Sequence, residues 1–577
     1  MRKILPLLVA ILIVMACPIG PNLPLPHTLL FSPITPEYLR DTVEKWEHAR
    51  FSGFMLSGIM SNWDDDIWAT DGDASTRGKD DGTYQRVKSC NDVCRKYGIS
   101  ENFIKVAFYK HVPLWIDDAA WSTLYENFRQ AARFARMTGC RGIALDIEYV
   151  SEQYNLDWEG YDYQGYSQQD LRTAAVRRGR ELVRAMLEAY PDMVFLNLPE
   201  GHYFYGPLAS DFIVGMVNGM AEANAKGGFH LLTERTYSMT KILGLLLFAQ
   251  KVEKDLLKML DDSARSYWRE RCSIALGGWP LGYYREVFDE NGNFLGYSGR
   301  EETFGNKVVG SYADKSARFS PEEFRQQYAG MLMGSKYYCW IYGHGATWWQ
   351  FSPEDVKKYG NVGNSALPVD ENLQAYIQVV RRKWIPTDWR LDVAKKVRKG
   401  EARQVIEELG FVKALKVIGP FGCKTCDNFD RVFPPEQEIE LDRAYAAGNL
   451  SLQWKTLNIE PETGYLDLAA AISPKDWVCA YAFCKVISLE ERPAQIRLGT
   501  NDTGTLWFNG EKIFAMNGER GAQPDDDILP VQLRKGENTI LVKVCNTERY
   551  WGMYLRITDE KGGPLSDLRY WPDSDGG

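Results

Sequence analysis

Between residues 28 and 345 the chain repeats one pattern: a short apolar run, a loop, then a stretch whose apolar positions recur at helical spacing. The apolar runs are Thr28–Phe31, Gly53–Ile59, Phe103–Tyr109, Gly142–Glu148, Val194–Leu198, Phe229–Glu234, Ser273–Gly278 and Tyr337–Tyr342. Amphipathic helices are predicted over Pro36–His48, Trp121–Met137 and Leu171–Ala189, and a long one over Lys241–Cys272 that must bend or split. Ser320-Pro-Glu-Glu323 opens a further helix, with Ser as N-cap, Pro at the first position and Glu closing a capping box. Eight alternating β and α units predict an α/β fold, a (β/α)8 TIM barrel. A doubly wound open sheet is the rival, but no Gly-rich phosphate loop follows the first run.

The fourth run carries the most information. In Arg141-Gly-Ile-Ala-Leu-Asp-Ile-Glu-Tyr149, Ile143, Leu145 and Ile147 take one face of a strand. Gly142, Ala144, Asp146 and Glu148 take the other. An apolar face opposite small residues and two carboxylates suits an inner barrel strand whose C-terminal end carries chemistry.

Beyond residue 352 the pattern changes. Asn372–Lys383 and the charged stretch Leu391–Leu409 read as helices, and from Val417 only short alternating runs remain. They are Ile496–Leu498, Leu506–Phe508, Ile513–Phe514, Val531–Leu533, Thr539–Val544 and Met553–Ile557. Asn509-Gly510 is a hairpin turn signal, and Lys535-Gly-Glu-Asn538 is another turn. Such a series predicts an all-β sandwich. The run Arg497-Leu-Gly-Thr-Asn-Asp502, Leu506-Trp-Phe-Asn-Gly510, Lys535-Gly-Glu-Asn538, Leu541-Val-Lys-Val544 and Trp551-Gly-Met-Tyr-Leu-Arg556 resembles the galactose-binding-like jelly roll appended to many secreted glycoside hydrolases. The expected organisation is a leader over 1–17, a barrel over 18–385, a connector over 386–414 and a jelly-roll sandwich over 415–577.

The N-terminus adds a location. Arg2 and Lys3 precede an apolar run from Ile4 to Ala16, too short to span a membrane comfortably. The run ends in Val14-Met-Ala-Cys17, which resembles the lipobox of bacterial lipoproteins. That resemblance implies a lipid on Cys17 and a periplasmic, outer-membrane or cell-surface protein. An ordinary cleaved signal peptide is the alternative, and Pro18 is unusual after a lipobox Cys. The formal charge is −9, or −11 without Arg2 and Lys3, and no long basic run argues for nucleic acid. The chain holds 11 Cys, with Cys90/Cys94 and Cys423/Cys426 as close pairs. A second pair matching Cys423-Lys-Thr-Cys426 is missing, and disulfides are permitted after export. Aromatics make up 13% of residues, which fits either a large core or stacking surfaces for sugar rings.

Active sites of such barrels lie where the strands end. The predicted ends supply Tyr109 from the third strand, Asp146 and Glu148 from the fourth, and Asn197 and Glu200 from the fifth. Glu234 and Tyr237 follow the sixth, Trp279 the seventh, and Tyr342, His344 and Trp348 the eighth. Carboxylates among aromatics on one rim are what glycoside cleavage requires: one protonates the leaving oxygen, the other attacks or stabilises the cationic sugar carbon. Gly142, Asp146, Glu148 and Tyr149 fall in register with the family 18 chitinase signature, although Arg141 and Ala144 stand where its first two Asp residues would be. The resemblance implies Glu148 as general acid and Asp146 as its partner. That family's Met-x-Tyr-Asp has no clear counterpart on the sixth strand, where Glu234 stands instead. This arrangement is similar to barrels with one carboxylate on strand 4 and the other on strand 6.

Other readings stay open. Asp146 could be a barrel-core acid bonded to Lys105 or Arg141, and Glu234 could pair with Arg235. Asp64-Asp65-Asp66 reads as a solvated loop. His111, His202, His230 and His344 lie on or after strands and could, with Asp146, form a metal-hydrolase centre. The first strand lacks the His-x-His pair such a centre expects. A lipoprotein that binds glycans without cleaving them is the third reading. The expected partner is a carbohydrate, with no cofactor or resident metal and with membrane attachment only through Cys17.

Overall fold

The computed structural model describes residues 23–31, 34–56, 59, 82–107, 113–147, 164–200, 206–281, 285–288, 294–298, 302–304, 307–309, 319–343, 358–359, 373–422, 428–448, 450–472, 476–518, 520–547 and 550–572. The predicted leader with Cys17 and the Cys423/Cys426 pair lie outside these residues.

The first sheet is built from β1 (His27–Phe31), β2 (Gly53–Leu56), β3 (Phe103–Ala107), β4 (Gly142–Asp146), β5 (Val194–Leu198), β6 (Phe229–Leu232), β7 (Ser273–Ala275) and β8 (Gly277–Gly278). Two hairpins follow, β9 (Arg285–Phe288) with β10 (Phe294–Ser298) and β11 (Glu302–Phe304) with β12 (Lys307–Val309). The last strand of the sheet is β13 (Tyr338–Tyr342). The order is β7-β6-β5-β4-β3-β2-β1-β13-β8, and every pairing in it is parallel. β7 and β8 are two halves of one strand interrupted at Leu276: β7 bonds to β6 and β8 to β13. Eight strand positions therefore close into the predicted (β/α)8 barrel. The hairpins β9–β12 are an insertion that the helical spacing of the chain does not announce.

Period-2 alternation sorts the side chains. Leu30, Phe54, Ile104, Ile143, Leu145, Phe195, Leu231 and Ile341 belong to the core beneath the helices. Leu29, Phe31, Met55, Phe103, Ala144, Leu196, Leu198, Leu232 and Trp340 fill the barrel interior. A Cβ on Gly142 would stand 1.8 Å from the Val194 carbonyl oxygen, so the strand pairing requires glycine there.

The helices follow their local signals. Ser320 Oγ accepts the Glu323 N–H at 3.2 Å while the Glu323 carboxylate accepts the Ser320 N–H at 2.7 Å, which starts the helix Pro321–Gly334. The predicted Pro36–His48 helix divides at Thr42 into Pro36–Asp41 and Val43–Ala49. Lys241–Cys272 divides at Leu260-Asp261 into Ile242–Met259 and Asp262–Arg271. Leu391–Leu409 breaks where Gly400 turns left-handed (φ 78°), giving Trp389–Val397 and Ala402–Glu408.

The second architecture is a β-sandwich of antiparallel sheets. One sheet contains β14 (Ala414–Phe421), β17 (Lys455–Asn458), β19 (Val478–Ser488), β21 (Gly504–Phe508), β22 (Glu511–Met516), β24 (Gly536–Asn546) and β26 (Arg569–Trp571). The other contains β18 (Tyr465–Asp467), β20 (Arg492–Asn501), β23 (Asp527–Leu533) and β25 (Gly552–Thr558), while β15 (Tyr445–Ala447) and β16 (Leu450–Leu452) form a separate hairpin. Asn509 (φ 50°) and Gly510 (φ 83°) make the β21–β22 turn, as an Asn-Gly hairpin requires. Cys479 and Cys545, directly paired on β19 and β24, are joined by a disulfide.

The sandwich is seated on the barrel. The Lys241 N–H donates to Gln523 Oε1 at 3.4 Å, and Gln523 and Pro524 lie about 3.5 Å from where a Cβ on Gly244 would be. Lys251 pairs with Glu460 at 3.7 Å, and Lys254 pairs with Glu462. Trp389 donates from Nε1 to the Lys561 carbonyl at 3.3 Å, and the Arg556 guanidinium lies over its ring. Arg556 and Arg497 share the carboxylate of Asp525, all three being buried.

Candidate functional site at the C-terminal end of the barrel

The upper interior of the barrel holds an ion pair and a set of aromatic rings. Asp146, the last residue of β4, accepts from Lys105 of β3 at 2.9 Å, and both side chains are about 3% exposed. Lys105 Nζ lies 5.5 Å from the centroid of the Phe31 ring at the end of β1. Phe31 is 5.6 Å from Tyr342 at the end of β13. Tyr342 stacks on Tyr237 at 5.7 Å with 10° between the planes, and Trp279 meets Tyr342 edge-on at 4.7 Å. Asp146, Tyr237, Trp279 and Tyr342 thus share the same end of the barrel. Trp279 is buried, so it backs the two half-exposed tyrosines and offers no open face of its own.

The β6 loop is held by two buried side chains. β6 ends at Leu232, earlier than the sequence pattern predicts, and Glu234 stands at the N-cap position of the 3-10 helix Arg235–Ser238. Glu200 is fully buried; its Oε2 accepts the Glu234 N–H at 2.9 Å and its Oε1 accepts the Arg235 N–H at 3.4 Å. Burial raises the Glu200 carboxyl above its ordinary range, with these backbone N–H donors opposing the shift. Gln327, from the helix Pro321–Gly334, brings Nε2 within 3.1 Å of the carbonyls of Thr236, Tyr237 and Met239. One carboxylate and one amide so fix the backbone that presents Glu234, Arg235 and Tyr237. This is the support a preorganised site needs.

Two predicted substrate contacts are relocated by the structure. Asn197 alternates with the interior residues Leu196 and Leu198 and lies on the helix-facing side with Phe195. Its Nδ2 donates to the Pro199 carbonyl at 3.0 Å. Glu200 lines a small cleft with Ser210, Ile213, Leu231 and Val252, behind the β6 loop on the helix side. It shapes the loop from behind, whereas its place just after the fifth strand predicted a contact with substrate, out of phase with Asn197. The register explains the difference: β5 ends at Leu198, so alternation no longer governs Glu200.

Of the histidines proposed for a metal centre, His230 lies at the other end of the barrel. It contacts Tyr338, the first residue of β13, at 4.8 Å, and its Nδ1 is 3.1 Å from Ser273 Oγ. Burial lowers its pKa to about 3. Asp146 is at the mouth and His230 toward the base, so the barrel keeps the two apart. His111, His202 and His344 lie outside the described residues, as do Glu148, Tyr109, Trp348 and Asp64–Asp66. Among the described residues, no group of three or more His, Cys, Asp or Glu side chains could hold a metal ion.

Lys105 enters from sequence only as an alternative partner for Asp146, and the structure makes that pair part of the mouth. A lysine inside an apolar strand was the available signal for it. Gln327 as a clamp and the sandwich as a neighbour carry no sequence signal. The second shows in Arg235, whose guanidinium sits 5.0 Å from the centroid of the Tyr550 ring.

No family model and no curated protein matches the sequence. Among solved structures, the chain is similar to a glucosidase from Croceicoccus marinus, at 10% identity and a TM-score of 0.34, over 92% of this chain and 98% of that one. It is also similar to a chitinase from Bacteroides thetaiotaomicron, at 13% identity and a TM-score of 0.30, over 62% and 96%. A D-allulose 3-epimerase from Methylomonas sp. matches at 11% identity and a TM-score of 0.32, over 62% and 98%. At these values no chemistry passes from those proteins to this one.

Proposed function

We propose that this chain is an exported glycoside hydrolase that cleaves an oligosaccharide or polysaccharide by carboxylate acid–base catalysis. The observation that carries the reading is that Asp146 and the Tyr237, Trp279 and Tyr342 rings lie at the same C-terminal end of a (β/α)8 barrel, linked through Lys105 and Phe31. A flat, half-exposed aromatic pair at the same barrel end as a fixed carboxylate suits a sugar ring, which has both apolar faces and hydroxyl groups. Glu148, two residues beyond Asp146, is assigned as general acid from the sequence alone. Asp146 is engaged by Lys105, so it orients the site, and the counterpart carboxylate falls to Glu234 on the clamped β6 loop.

The Cys479–Cys545 disulfide supports export, since such bonds persist in oxidising compartments. Attachment through a lipid on Cys17 is part of the proposal; loss of labelling by a radiolabelled fatty acid in Cys17→Ser is its test.

The function is tested by a hydrolysis screen over soluble oligosaccharides and their aryl glycosides. Glu148→Gln should retain binding and lose on the order of 10²–10⁴ in turnover on a poor leaving group. Near-normal turnover would move the acid role to Glu234. Hydrolysis of no glycoside by the wild-type chain would leave the enzyme reading without support and favour a glycan-binding protein.

A further inference from the structure

We infer that the sandwich completes the barrel mouth, with Tyr550 forming a stacking surface for a sugar ring next to Arg235. The inference rests on the carbohydrate reading above and extends it to a second subsite supplied by the other architecture.

Tyr550 is 54% exposed, among the most exposed large apolar side chains described. One face of its ring carries the Arg235 guanidinium at 5.0 Å. A cation over a ring face is favourable, and it fixes the ring while leaving the remaining surface in water. Arg235 follows Glu234 directly, and both amides are held by Glu200. Tyr237, two residues on, belongs to the mouth through its stack on Tyr342. Tyr550 therefore stands beside the same loop that presents the candidate counterpart carboxylate.

Both sides of this contact are anchored. Trp551, the next residue, is fully buried, and its Nε1 donates to the Val544 carbonyl at 3.3 Å. β25 starts at Gly552. On the barrel side, the helix Ile242–Met259 that follows the β6 loop carries the Gln523, Glu460 and Glu462 contacts. The sandwich is thus docked along the element that leads out of the site, which places a half-open aromatic ring at a constant position beside it. A domain clasp alone would gain most by burying the ring. An exposed tyrosine braced by arginine, with a hydroxyl donor at its edge, has instead the character of a sugar-stacking residue.

The test uses the full-length chain and measures calorimetric affinity for cello-, chito- and xylo-oligosaccharides of two and of six units. Tyr550→Ala should weaken binding of the longer ligands on the order of tenfold and leave the dimers unchanged. Tyr550→Phe should bind like wild type, because the ring face is kept. Tyr550→Leu retains apolar bulk without a flat face and should show the alanine loss. Melting temperatures of all three should stay within about 2 °C of wild type, as expected for an exposed position. Equal affinity of Tyr550→Ala and wild type for the six-unit ligands would overturn the inference and leave the barrel reading intact, as would retention by Tyr550→Leu. If wild type binds none of these ligands, the carbohydrate reading and this inference fall together.

Discussion

The Lys105–Asp146 pair offers the sharpest test of how the barrel mouth is built. The two groups are 2.9 Å apart and almost wholly out of water. At an effective dielectric of about 20 their attraction is about 6 kcal/mol, from 332/(20 × 2.9). Desolvation of both ions offsets much of it, so the pair as a whole contributes little net stability. Removing one partner is different, because the charge left behind stays buried and loses its counter-ion at 2.9 Å. Lys105→Met or Asp146→Leu alone should each cost about 3–5 kcal/mol, while the double variant should cost less than either. Urea unfolding at pH 7, followed by intrinsic fluorescence, gives the three values and their coupling. Raising the salt concentration should change that coupling little, since the pair is shielded from counterions. A cost below about 1 kcal/mol for Asp146→Leu, with no coupling to Lys105, would refute the view that the pair sets the floor of the site. Asp146 would then be available for chemistry in its own right.

Burial lifts the Asp526 carboxyl to about 6 from its usual 3.8, against the attraction of Arg520. Between those two values the native state holds a proton that the unfolded state has lost, so stability falls as pH rises through the window from about 4 to 6. Asp526→Asn keeps an acceptor for the Gln523 N–H and should stabilise the fold at pH 7, by at most about 3 kcal/mol (2.2 × 1.36), with no gain at pH 3; equal gains at both pH values would contradict this. Gln327→Ala removes the donor facing three loop carbonyls and should cost about 1–3 kcal/mol, with faster amide exchange confined to the β6 loop if the clamp is as described. Reducing the Cys479–Cys545 bond, whose cysteines are 66 residues apart, should lower sandwich stability by up to about 4 kcal/mol; an unchanged thermal transition under reductant would exclude a stabilising role.

What the sequence determined is local. Alternation over Gly142–Ile147 set which side chains of β4 enter the barrel, because successive strand residues must point to opposite faces. Ser320 with Glu323 set a helix start, and Asn509-Gly510 set a hairpin, because their own hydrogen bonds and backbone angles do so wherever they occur. Eight alternating units in succession predicted the barrel, and the short alternating runs after Val417 predicted the sandwich. The site needed distances between residues far apart in the chain. Strand register brought Lys105 to Asp146, the end of β5 freed Glu200 to turn behind the β6 loop, and docking of the sandwich put Tyr550 over Arg235. Periodicity encodes the direction of a side chain along its own element; only closure of the barrel and the packing of one architecture on the other decide what it meets.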